Sequence, residues 1–362
     1  MRIKTELLQN MVAKAIQGAG NNKMIPLTSL IGIEYLNNNL VLTTTDGSNQ
    51  FKVNMTSAEL GNTQEQSNFY TIVDADIFAK LVGKTTKEFI ELENKENYLE
   101  VIGNGTYKLE IAINEEGEMV KFPKIENMNG KELAINLIDL QEAIRVAKAS
   151  VAKTMEIPCL TGYYISDNTI STNKQLACKL ANNLVTEPIL ISSEMAELLL
   201  LVEGAEILEL IKQDNDLIFY TANYTIAGKE LANKDLYPVQ AIQNLTALNY
   251  DNMVKVNKQE LLNILDRMSL FVNEYDKNGI FLKFTPDELI VRSQKSNAEE
   301  NISFVEALEV KEFQCLVDID MLRSEVESIS TDVVELHYGQ DKSIKIVDGK
   351  ATFVISLLEK AS

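Results

Sequence analysis

A chain of 362 residues, 45% of them hydrophobic, has apolar mass for two or three folded domains and is not a disordered segment. Its formal net charge of −19 excludes a basic body that grips nucleic acid all over, while leaving room for a local cationic surface. No apolar run follows the basic start at residues 1–6. The most apolar stretch, Met195 to Ile211, is interrupted by Glu197, Glu203, Glu206 and Glu209. Neither a secretory signal nor a membrane span is expected, and the chain reads as cytoplasmic.

In chain order, the first element is an amphipathic helix over residues 6–15. The same pattern returns at 139–148 and at 260–269, each time followed by a short polar loop and an apolar strand. The repeat distance is roughly 120 to 135 residues, the size of a domain. A second helix is expected over 73–82, 192–199 and 318–326, with Asp or Ser at the starts as N-caps. Strands follow each of these: 89–92, 98–102 and 107–113; then 207–211, 217–220 and 224–227; then 333–337, 343–347 and 351–358. Polar segments at 126–130 and 245–251 part the chain into 1–127, 128–248 and 249–362. The fold class is α+β: three repeated domains, each with two helices packed on antiparallel sheets.

Catalytic patterns are missing. The one histidine, His337, lies in a strand without a nearby Cys or His for a metal. No Walker, dinucleotide-binding or nucleophile-elbow motif occurs. Cys159, Cys178 and Cys315 are isolated in apolar segments and read as buried thiols. The chain is therefore read as neither an enzyme nor a cofactor protein. Lys23, Arg145, Lys148, Lys153 and Lys258 occupy or flank the first helix of each repeat, and Arg145 and Lys148 share a helix face. These residues admit two readings, a solvated face or a helical surface turned toward phosphates.

Several segments, in order, resemble the bacterial DNA polymerase III beta subunit, the sliding-clamp family. They are Met24 to Leu30 and Leu40 to Asp46, then Ile157 to Gly162, then Met268 to Glu274, and the resemblance spans essentially the whole chain. It implies three clamp domains per chain and two chains closing head to tail into a ring around duplex DNA. It further implies sequence-independent DNA contact through the five basic residues, and binding of polymerase and clamp loader through short linear peptides. Tyr107 and Leu109, with Leu270 and Phe271, match dimer-interface positions. Leu160, Thr172, Lys174, Gln175 and Leu176 match one wall of the peptide pocket, and Phe353, Ile355, Ser356, Leu357 and Leu358 the other. The segment Thr172 to Ala177 lacks the family's Gly-His-Arg, and residues 353–358 depart from its usual ending. These changes touch partner choice and would suit a divergent phage or plasmid clamp, or an outlying bacterial one. Readings set against this one are a scaffold of the same fold that forms no ring, and a repeat-built enzyme or binding module.

Overall fold

The computed structural model describes residues 1–56, 59, 68–125, 130–295, 297–308 and 310–359. Its helices are α1 (Thr5–Ala15), α2 (Ala75–Gly83), α3 (Leu137–Ala147), α4 (Ser193–Leu199), α5 (Val239–Thr246), α6 (Lys258–Met268) and α7 (Ile319–Ser328). The chain forms two compact units, one of residues 1–137 with 194–230, the other of 138–193 with 231–362.

In the first unit, α1 buries Leu8, Met11, Val12 and Ala15, a stripe at helical spacing. The side chain of Asp74 accepts from the Ile77 amide and caps α2, a bond of the kind that contributes about 1 kcal/mol. The larger sheet is antiparallel, with strand order 69–74, 30–36, 39–45, 50–56, 224–229, 216–220, 207–213, 131–136. Its central seam pairs Phe51 with Ile226. A smaller sheet runs 2–4, 89–94, 98–102, 106–110. The strand expected at 107–113 stops at Glu110, and Ile113 instead bridges Met119.

In the second unit, Asn257 caps α6 through the Glu260 amide and Asp318 caps α7 through Asp320 and Met321. The larger sheet has nine strands, ordered 189–192, 162–165, 168–172, 176–181, 351–356, 343–348, 333–338, 252–257, 306–308. A four-stranded sheet runs 299–303, 288–293, 279–284, 313–318. Phe284 stacks on Tyr338 at 3.8 Å between centroids. The expected final strand, 351–358, is regular only to Ser356. Helix α5 lies in the stretch whose end was read as a parting segment. Its exposed positions are Gln240, Ala241, Asn244 and Leu245, and with apolar residues on both faces the helix shows no clear periodic signal.

Each unit carries the same local device. At the end of α1 the Thr44 hydroxyl donates to the Ala15 carbonyl at 2.7 Å, and at the end of α3 Ser171 donates to Ala147 at 2.6 Å. The turn that follows is the same atom for atom. Thr45 donates to the Asn49 carbonyl as Thr172 does to that of Leu176. Asp46 accepts from the amides of Ser48 and Asn49, and Asn173 from those of Gln175 and Leu176. Both turns need a left-handed residue. Gly47 (φ 98°) supplies it without strain, and Lys174 (φ 79°) supplies it against a steric cost.

Candidate nucleic-acid and peptide interfaces

In the second unit, Arg145 and Lys148 on and after α3 border a hollow of about 480 Å³ whose other side is Ser324, Glu327 and Ser328 of α7. Glu142 also lines it, so the surface is mixed in charge. Arg323 on α7 is paired with Asp266 at 2.7 Å and Glu327 at 2.9 Å. Such a face offsets phosphate repulsion without a tight grip. Lys153 lies exposed in the loop after α3, and in the first unit Lys23 is exposed in the loop after α1. Lys258 is placed differently. Its ammonium donates to the carbonyls of Glu327 at 3.3 Å and of Ile329, closing the C-terminal end of α7. A cation there complements the helix dipole, which accounts for the residue structurally. Arg267 is drawn aside in the same way, by a forked contact to Glu300.

The residues expected around the peptide pocket all fall in the second unit, but on two faces of its nine-stranded sheet. Leu176 pairs with Ile355 and Cys178 with Phe353. Cys178 Sγ lies 4.0 Å from the Val146 carbonyl of α3, so this face turns toward the helices. Leu176, Phe353 and Ile355 are accordingly buried, at 2% exposure or less. The intervening pair, Ala177 and Val354, points the other way. It joins Cys159, Leu160, Ile170, Tyr237 and Ile242 in an apolar cluster covered by α5. Of the expected walls, Leu160 belongs to this outer cluster. Thr172 is buried and its hydroxyl is consumed by the turn. Lys174 and Gln175 are exposed, and Ser356, Leu357 and Leu358 are half-buried. The last three are fixed by backbone bonds to Gln175, Lys342 and Leu316 at 2.8 to 2.9 Å. Sequence reasoning missed Tyr237, Val239 and Ile242. The Tyr237-Pro238 pair ahead of α5, a rigid entry to a helix, was the available signal.

The remaining candidates sit at sheet edges and helix ends. The strand 106–110 has one partner strand only, and so does 299–303 in the second unit. Tyr107 is 40% exposed and Leu109 half-buried on the first of these. Leu270 and Phe271 are 79% and 43% exposed in the short turn of helix after α6. Unpaired edges and exposed apolar side chains of this size call for a cover.

Among the described residues, no group of three or more His, Cys, Asp or Glu is placed to hold a metal ion, and no helix is long and apolar enough to cross a membrane. The cysteines are free and buried, and His337 Nε2 lies 2.7 Å from Glu335.

Residues 1–121 match the family model of the DNA polymerase III beta subunit, N-terminal domain. A curated relative, the beta sliding clamp of Bacillus subtilis (strain 168), is 24% identical over 249 residues, a match spanning 66% of this chain and 64% of the relative. The sliding clamp of Bacillus subtilis superposes with a TM-score of 0.85 at 16% identity, over 99% of both chains. The beta subunit of Streptococcus pyogenes gives 0.86 at 15%, and a Pseudomonas aeruginosa clamp bound to griselimycin gives 0.86 at 16%, both again over 99% of each chain.

Proposed function

We propose that this chain, a member of the DNA polymerase III beta subunit family and of sliding-clamp fold throughout, acts as a replicative processivity factor. Two copies close head to tail around duplex DNA and tether the polymerase and other DNA-processing proteins. The observation that carries this reading is the extent of the likeness in fold, which spans 99% of the chain. Each chain contributes three domains, 1–127, 128–248 and 249–362.

The physics of sliding agrees with the residues. Topological linkage keeps a ring on DNA, so strong phosphate contacts are unnecessary and would slow movement. The mixed surface around Arg145 and Lys148, with Lys153 and Lys23, suits weak contact, and an overall charge of −19 is tolerable when the acid faces outward. Lys258 is left out of this set because its ammonium closes α7. Two of the open sheet edges, 106–110 and 299–303, supply complementary halves of a heterologous joint, flanked by Tyr107 and Leu109 and by Leu270 and Phe271. The peptide pocket lies beside Leu160, the α5 cluster and Leu358. No chemistry is catalysed, no cofactor is needed and the site of action is the cytoplasm.

The test is retention. After loading, the protein stays on circular duplex DNA and runs off the same DNA once it is linearised, and its solution mass is that of a dimer. Equal loss from both DNA forms, or a strict monomer at high concentration, refutes the ring.

A further inference from the structure

The repeat extends from the sheet into the connection after it. In the first unit Phe122-Pro123 follows the last loop, with the Phe122 ring lying over Gly32, where a Cβ would come within 3.0 Å of it. In the second, Tyr237-Pro238 takes the same place, and Tyr237 stacks at 5.5 Å on Tyr164, the counterpart of Gly32 two residues into the strand after the matching Pro-led turn. Beyond the proline the two part company. Thirteen residues, 239–251, lead to the next strand in the second unit, and they build α5. Seven residues, 124–130, lead to the strand at Lys131 in the first. That connection is shorter than α5 alone, which has eight residues. Gly130 is already against the sheet, where a Cβ would fall 2.2 Å from the Lys212 carbonyl oxygen.

Among the described residues, no helix lies in the first unit over the groove that α5 fills in the second. The pairs correspond: Ala227 opposite Gln50 stands where Val354 opposite Ala177 stands. Around Ala227 lies a cleft of about 640 Å³, with Ile25, Leu27, Ile125 and Ile218 among its walls. Its volume is in the range of real ligand sites, and Ile25 is 41% exposed on its rim. The rim also carries more lysines than carboxylates. Lys124 and Lys229 line the cleft, and Lys52 and Lys121 line an adjoining hollow that shares Gln50, Pro123 and Lys124 with it. Against these four lysines stand Asp216 and Glu34, in a chain of net charge −19.

We propose that this cleft of the first unit is a second docking groove, and that its occupant is a short amphipathic segment of another protein. That segment carries aliphatic anchors three residues apart and acidic flanks. The anchors follow from α5, whose Val239 and Ile242 show what this surface accepts when it is filled. The acid follows from the lysine rim. The groove is independent of the pocket beside Leu160 and Leu358, so a single chain can hold two different partners at once.

The experiment uses the full chain and a fluorescent peptide of residues 237–247 carrying Gln240→Glu and Gln243→Glu, titrated by anisotropy. Saturable binding is expected. Lys124→Glu with Lys229→Glu weakens it about tenfold, as loss of complementary rim charge does. Ala227→Trp fills the cleft and abolishes it, and Leu358→Ala leaves it unchanged. Both lysines are exposed, so the charge-reversal variant folds even where the tryptophan variant does not. Absence of saturable binding to the unaltered chain overturns the proposal. So does binding that survives the double charge reversal or is lost in Leu358→Ala, since the peptide then sits elsewhere. Retention on circular DNA is unchanged in Lys124→Glu/Lys229→Glu, which separates a failure here from a failure of the clamp reading.

Discussion

Glu325 is a costly side chain to bury. It lies on α7, wholly buried, with Oε1 accepting a 2.6 Å bond from the Ser150 hydroxyl and Oε2 without a partner. The thiol of buried Cys178 is pushed well up by burial first and by Glu325 second. Burial raises the Glu325 carboxyl from 4.5 to about 8, the Ser150 bond opposing only in part. Because the folded-state value is raised, the folded protein holds a proton that the unfolded chain releases. Stability from this group is full below about pH 4.5 and is lost as pH rises through about 8. The slope is about 1.4 kcal/mol per pH unit, or roughly 3 kcal/mol by pH 7. Glu325→Gln keeps an acceptor for Ser150 and replaces an unpartnered hydroxyl by an unpartnered amide, so it removes the slope at little other cost. Urea unfolding of both proteins at about pH 5, 6, 7 and 8 measures the difference. The variant should gain on the parent by about 1.4 kcal/mol per unit across that range. A gap that does not change with pH would show that Glu325 titrates normally and that the reasoning from burial is wrong.

Leu270→Ala with Phe271→Ala should give folded monomers by sedimentation, since both side chains are solvent-exposed and carry little of the fold; a persistent dimer moves the interface elsewhere. Neutralising Lys23, Arg145, Lys148 and Lys153 together should reduce loading onto DNA and flatten its salt dependence without lowering the melting temperature, whereas Lys258→Ala should cost about 1 kcal/mol of stability and leave that dependence alone. Leu176→Ala should destabilise by about 2 to 5 kcal/mol as a core truncation, while Leu358→Ala should weaken a polymerase-derived peptide with melting unchanged; the reverse pattern would place the pocket on the helix-facing side of the sheet.

The helices were legible because their apolar stripes are long and their caps are local. The strongest, α1, α3 and α6, begin and end within two residues of their expected bounds. Strands 98–102 and 333–338 were legible by alternation. The facing of residues 351–358 was not. Phe353, Val354 and Ile355 are all buried, because the strand is covered by helices on one side and α5 on the other, so no polar residue marks a solvent face. Lys258 looked like its neighbours in the sequence. Its partners are carbonyls some 70 residues away, and backbone acceptors leave no trace in side-chain pattern.

The order of strands in the nine-stranded sheet has a consequence for synthesis. The strand that comes latest in the chain, Ala351–Ser356, is the middle one, with four strands on either side. Until that strand is made, the sheet's strands within 162–192 and 252–348 can pair only as two half-sheets, each with an unpaired edge. In the first unit, strand 50–56 likewise waits for 224–229. At about 5 to 20 residues per second that wait is roughly ten to thirty seconds. The nascent chain is most exposed to edge-to-edge association during those intervals, and a chaperone that shields strand edges would act on it then.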